Sequence, residues 1–137
     1  MALVDQPVSL RTKLSSLWAS LTLCYLYCDY FELYQPGKLQ SMLSGLFRPI
    51  GPTTQTTLLA ASALLALPAL MVAFNALLPA RACRRLNVCL GLFYTVVMLV
   101  VMQGAWLYYK LFAVIEIALS LSIAWLAYKW PRSPYEA

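Results

Sequence analysis

Apolar runs dominate the chain, and four of them reach the length a bilayer demands. The hydrocarbon core is about 30 Å thick and a helix rises about 1.5 Å per residue, so a spanning helix needs about 20 mostly apolar residues. The four segments run from about Leu14 to Tyr34, Thr56 to Leu78, Leu86 to Trp106 and Leu111 to Trp130. No alternation of apolar and polar positions marks a barrel strand, which leaves helices as the spanning elements.

The breaks are equally plain. Pro36-Gly37 closes the first span. Pro79 closes the second, and Arg81, Arg84 and Arg85 fill the loop after it. The third loop, around Leu107 to Lys110, is short. Short connections predict antiparallel neighbours, so span two should pair with three, and three with four. Between spans one and two, Lys38 to Thr54 carries Gly45, Pro49, Gly51 and Pro52. Within it, Leu39, Met42, Leu43, Leu46 and Phe47 recur at helical spacing, which predicts a short amphipathic helix at the interface. The expected fold is all-α: one domain over residues 1–137, an up-and-down bundle of four transmembrane helices with that interfacial helix in the first outer loop. No internal repeat relates the two halves, which sets the chain apart from transporters built on inverted repeats. Pro68 falls inside the second span, where it frees a backbone carbonyl and predicts a kink.

Composition agrees. The 137 residues are 62% hydrophobic and 11% charged, whereas a soluble domain is about a quarter charged. The net charge of +5 comes from basic residues in short clusters between apolar runs. That distribution points to topology control and anionic lipid, and away from nucleic acid. Arg11, Lys13, Arg81, Arg84, Arg85, Lys129 and Arg132 fall on one side, and Lys38, Arg48 and Lys110 on the other. The excess of Lys and Arg predicts that both termini are cytoplasmic. Trp18 and Trp130 would then mark the inner interface, and Tyr34, Trp106, Tyr108 and Tyr109 the outer one. Arg11 and Lys13 before an apolar run resemble the start of a signal peptide, but no small-residue cleavage site follows, so a retained first span is expected.

The four cysteines, Cys24, Cys28, Cys83 and Cys89, form no CxxC pair, and the chain has no histidine. A zinc site, haem ligation and triad hydrolysis therefore lack their usual residues, and no cofactor is expected. Cys24 and Cys28, one turn apart inside an apolar helix, read as small buried hydrophobes. Asn75 and Asn87, at the inner ends of spans two and three, read as interhelical hydrogen-bonders.

Ionisable residues within a membrane are functional candidates because their burial costs several kcal/mol, by order of magnitude. Asp29 and Glu32 lie in the last outer turns of span one, and Glu116 in the second turn from the outer end of span four. Gln103 sits about one turn from the outer end of span three. At about 100° per residue, Trp18, Thr22, Tyr25, Asp29 and Glu32 form one stripe; Tyr109, Phe112, Glu116 and Ser120 form another. If both stripes turn inward, Asp29, Glu32, Glu116, Tyr25, Gln103 and Tyr109 surround a cavity open to the outer face. Such a cavity suits reversible protonation, an organic cation held by charge and cation–π attraction, or acid–base work on an apolar substrate. The structural alternative pairs Glu32 with Lys38 and Glu116 with Lys110, or bonds the acids to tyrosines as glue between helices.

The stretch Leu10-Arg-Thr-Lys-Leu-Ser-Ser-Leu-Trp18, then Tyr25-Leu-Tyr-Cys-Asp29 and Pro36-Gly37, resembles the opening of a family of small bacterial four-span membrane proteins of unknown function. Glu116 and the closing Ala-Trp-Leu-Ala-Tyr-Lys-Trp are similar in character to that family's last span. The resemblance implies a bacterial inner-membrane setting and supports Trp18, Tyr25 and Asp29 as one patterned face. More loosely, the chain is similar to small multidrug transporters, also four-span proteins with an acid in the first span. It departs from them in its long first loop and extra acids. It is similar too to the sterol isomerase-like group, but lacks that group's histidine.

The leading expectation is thus a non-enzymatic membrane protein that binds or moves a small cation or proton-coupled ligand. A structural or accessory subunit without a ligand site is the first alternative, and a membrane-embedded isomerase-like enzyme the second. The lipid bilayer is the expected partner, with a small cationic or apolar ligand; a homo-oligomer stays open.

Overall fold

The computed structural model describes residues 6–47 and 51–131. Arg48, Pro49 and Arg132 lie outside them. The fold is all-α apart from one small hairpin. Its elements are α1 (Leu10–Glu32), α2 (Lys38–Leu43), β1 (Leu46–Phe47), β2 (Gly51–Pro52), α3 (Gln55–Leu77), α4 (Ala80–Val101) and α5 (Leu107–Tyr128). The strands β1 and β2 pair antiparallel, Leu46 opposite Pro52 and Phe47 opposite Gly51.

Three helices, α3, α4 and α5, are long and apolar enough to cross a membrane. Each begins or ends where local chemistry dictates. The Thr54 hydroxyl accepts from the Thr57 N–H, and the Thr57 hydroxyl accepts from the Thr54 N–H, a reciprocal cap that starts α3. Ser9 caps α1 by accepting from the Thr12 N–H at 3.2 Å. The arginines expected in a loop after Pro79 are instead in the first turns of α4. Hydropathy marks where lipid would begin, and the helix runs on past that point. The amphipathic helix of the first loop stops at Leu43, short of Leu46 and Phe47. Gly45, at φ +77°, turns the backbone into the hairpin. α1 matches the other long helices at 23 residues, but its serines, tyrosines and Asp29 lower its hydropathy.

α1 is the centre of the arrangement, packed against α3 on one side and α5 on the other, while α4 packs against α5. Although consecutive, α3 and α4 share few backbone approaches. The expected pairing of these two helices is carried by side chains. The phenol of Tyr94 on α4 donates to the Leu64 carbonyl on α3 at 2.5 Å. Leu64 is the residue four before Pro68, so its carbonyl has no helical N–H to accept from. A second bridge runs from Trp18 Nε1 to Asn87 Oδ1 at 2.7 Å, and from Asn87 Nδ2 to Asn75 Oδ1 at 2.6 Å. These three side chains are fully buried and join α1, α4 and α3. Cys83 closes the cluster, its thiol 3.1 Å from Asn75 Oδ1.

Packing of α4 on α5 is tighter. A Cβ at Gly91 would lie 2.8 Å from the Ser120 carbonyl oxygen and 3.1 Å from Ala124 Cβ. That approach lets the Thr95 and Ser120 hydroxyls meet at 2.7 Å.

The end of the bundle that holds the start of α1 also holds the α3–α4 junction and the end of α5. Arg11 donates to the carbonyls of Asn75 and Leu78, each at 2.8 Å, and satisfies the last turn of α3. Its guanidinium also lies 5.7 Å from the Trp130 ring centroid. Arg81, Arg84, Arg85 and Lys129 belong to the same end. The opposite end carries α2, the hairpin and the α4–α5 turn.

Candidate functional site

Toward that opposite end, α1 and α5 face each other along the two stripes. On α1 the buried residues are Leu14, Trp18, Leu21, Tyr25 and Cys28, spaced by three or four. On α5 they are Ala113, Glu116, Ser120, Ile123, Ala124 and Ala127. Glu116 is the one charged side chain among these buried positions.

Glu116 has 0% exposure. Among the described residues, neither of its carboxylate oxygens has a hydrogen-bond partner, and neither does the buried hydroxyl of Tyr25. The Glu116 charge lies within electrostatic reach of Tyr25, Cys28, Tyr109 and Asp29. The Tyr25 and Tyr94 rings meet tilted by 41° at 6.0 Å between centroids, and Tyr94 meets Trp18 edge-on at 5.9 Å. An aromatic column therefore leads from the acid toward the Trp18–Asn87–Asn75 bridge. One turn along α5, Ser120 and Thr95 add a hydroxyl pair.

The other acids sit differently. Asp29 is exposed and Glu32 half-buried. Lys38 Nζ is 2.5 Å from Glu32 Oε1, and its charge also reaches Asp29. Lys38 thus pairs with Glu32, with Asp29 one turn before Glu32 on α1. Glu116 lies enclosed, at 0% exposure. Gln103 is apart from this group: it is exposed in the turn after α4, and its amide donates to the Leu99 carbonyl of its own helix at 3.0 Å. Tyr109 is half-buried on the α5 side, its ring 6.4 Å from that of Tyr108.

The stripe rule missed two participants. Cys28 lies between Tyr25 and Asp29 on the inward face of α1, a position its spacing from Tyr25 already allowed. Tyr94 comes from α4, and nothing local in the chain marks it. Among the described residues, no group of three or more Cys, Asp or Glu side chains is placed to hold a metal ion, and all four cysteines are free thiols.

Beside the acids, a groove of about 300 Å³ opens between the end of α1 and the start of α5, lined by Phe31, Tyr34, Gln35, Trp106, Tyr108 and Phe112. Gln35 Nε2 donates to the Tyr108 hydroxyl at 2.6 Å across its mouth.

The model of a protein family described as of unknown function, DUF6326, matches residues 2–136. No curated protein and no solved structure matches the chain.

Proposed function

The chain belongs to that family of unknown function, and we propose that it is a four-span membrane protein that binds a small cation, the proton included, at Glu116. One observation carries the reading: a carboxylate with 0% exposure and no hydrogen-bond partner among the described residues. An unpaired buried carboxylate costs several kcal/mol even by conservative measures, so a proton or another cation has to neutralise it. Tyr25 and Tyr109 offer oxygens and ring faces beside it, and Asp29 and Glu32 form the outer approach. Gln103 has no part in the site.

Supporting the fourth span, α1 has 23 residues, about 34 Å of helix at about 1.5 Å per residue. Leu14, Trp18, Leu21, Tyr25 and Cys28 form its buried face, while Leu23, Leu26, Tyr27 and Phe31 are exposed. The short α2, with Leu39 and Leu43 exposed, would lie at the interface. The cluster of Arg11, Arg81, Arg84, Arg85 and Lys129 at one end favours a cytoplasmic location for that end. A bacterial inner membrane fits the same reading, with residues 1–137 as one domain.

The test compares the purified protein with Glu116→Gln in detergent at constant ionic strength, across sodium, potassium, ammonium and methylammonium salts. Saturation at about 100 times the Kd stabilises by about 2.7 kcal/mol. At least one of these cations should raise the Tm of the native chain, and Glu116→Gln should keep the fold and lose the rise. An unchanged response in Glu116→Gln, or a Tm that collapses in the variant while no cation stabilises the native protein, overturns the reading in favour of a purely structural acid.

A further inference from the structure

The bundle has one loose side. α3 packs on α1, α1 on α5 and α5 on α4, but α3 and α4 share few backbone approaches. Along α3 a single stripe runs at spacings of three and four: Thr57, Ala61, Leu64, Pro68, Met71 and Asn75. Pro68, Met71 and Asn75 are buried, whereas Thr57, Ala61 and Leu64 are only half-buried, and the other residues of 55–67 are exposed. The packing of α3 therefore changes at its proline. Past Pro68 other helices pin it. Ser15 donates to the Val72 carbonyl at 2.9 Å, Arg11 to the Asn75 and Leu78 carbonyls, and Asn87 to the Asn75 side chain. Before Pro68, α4 holds it through the Tyr94 phenol at the Leu64 carbonyl. Proline interrupts the helical ladder, and a helix bends where its ladder is interrupted. Two unequally packed halves joined at such a break have the form of a hinge, and the Tyr94 bond spans the loose side as a latch.

Glu116 is level with the loosely held half. Tyr94 sets Leu64 and Tyr25 at one depth, because its hydroxyl bonds the first and its ring meets the second. The next residue, Thr95, meets Ser120. Glu116 precedes Ser120 by one turn of α5, toward the end that carries the hairpin, and residues 55–64 of α3 extend toward the same end. Swinging that half away from α4 opens the interior at the depth of the acid, sideways into the bilayer. The opening is uncharged: α3 has no charged residue, and α4 has none after Arg85.

We infer that residues 55–67 form a lateral gate to Glu116, hinged at Pro68 and latched by Tyr94, which admits an uncharged, lipid-soluble molecule from the bilayer. It is a second way in, distinct from the approach past Asp29 and Glu32. The gate rests on the four-span reading and does not depend on cation binding at Glu116.

Carbodiimide labelling of the full chain in lipid vesicles, in mildly acidic buffer, tests it. Dicyclohexylcarbodiimide is uncharged, dissolves in lipid and adds to protonated carboxyls; a cationic, water-soluble carbodiimide is its counterpart. Peptide mass spectrometry reads the rate at which each adds to Glu116. The lipid-soluble reagent should label it and the water-soluble one should not. Labelling follows the open population when opening and closing are fast, so Tyr94→Phe should speed the adduct about tenfold, equivalent to about 1.4 kcal/mol. Pro68→Ala restores the ladder and should slow labelling severalfold; with it in place, Tyr94→Phe should speed the adduct less than about threefold. Labelling of Glu116 by the water-soluble reagent, at a rate that Tyr94→Phe leaves unchanged, overturns the gate and assigns all access to the approach past Asp29 and Glu32. A Glu116 that neither reagent labels in any variant overturns it too, as does a Tyr94→Phe effect that Pro68→Ala leaves undiminished. If sodium, potassium, ammonium and methylammonium fail to stabilise the protein while labelling responds to Tyr94 and Pro68 as expected, the cation reading of Glu116 falls and the gate stands.

Discussion

Replacing Tyr94 with Phe removes one oxygen and leaves every ring contact of that side chain in place. The lost bond is the one from the Tyr94 hydroxyl to the Leu64 carbonyl, 2.5 Å long. Because Pro68 has no N–H, that carbonyl then has no donor from its own helix. Leaving a buried polar group unpaired costs about 1–3 kcal/mol, whereas hydrogen bonds between membrane helices average about 0.6 and reach about 1.7 kcal/mol. A carbonyl without an alternative belongs at the upper end, so Tyr94→Phe should destabilise by about 1.5 kcal/mol. The same carbonyl supplies the control. Pro68→Ala restores an N–H one turn away, and in that background Tyr94→Phe should cost less than about 0.5 kcal/mol, a coupling of about 1 kcal/mol. Equilibrium unfolding of the four variants in mixed micelles measures the cycle. Equal costs of Tyr94→Phe in both backgrounds would refute the assignment, because the phenol would then be stabilising something other than the carbonyl Pro68 frees.

Two further predictions rest on packing. Gly91→Ala puts a methyl 2.8 Å from the Ser120 carbonyl oxygen, so α4 and α5 must separate; thermal unfolding should register a loss of about 1–3 kcal/mol, and Gly91→Val more. Asn87→Leu keeps the branched shape but takes the acceptor from the Trp18 indole and one of two donors from Asn75 Oδ1, which retains the Cys83 thiol; a loss of about 1–3 kcal/mol is expected for the buried indole left unpaired, and a loss no greater than that of Asn87→Ser would show the bridge is replaceable.

Much of the helical layout is legible from run length alone. The apolar stretches of α3 and α5 set their positions within a few residues, because lipid-length hydrophobicity and helix length coincide there. They diverge at α4, where Arg81, Arg84 and Arg85 are helical yet too polar to be counted in a span. Neighbour relations were less accessible. A short loop ties α3 to α4 in sequence, but Gly91 fits α4 against α5, and the inward stripe of α1 draws α3 to itself. The site divides the same way. Spacing by three and four identifies Tyr25 and Glu116 as inward residues. It cannot tell that Asp29 is exposed while Glu116 is enclosed, since that depends on how α1, α4 and α5 meet. Tyr94 was beyond reach, because its role depends on a proline in another helix.

The central position of α1 also constrains how the protein is made. α1 is made before α3, α4 and α5, yet one of its two flanking helices, α5, follows the others. Until synthesis reaches α5, the inward face of α1 has Tyr94 of α4 beside Tyr25 but lacks the helix that carries Glu116. Glu116 meets the opposite situation. It is translated after Tyr25 and Tyr94, so the aromatic rings near it precede it in the chain.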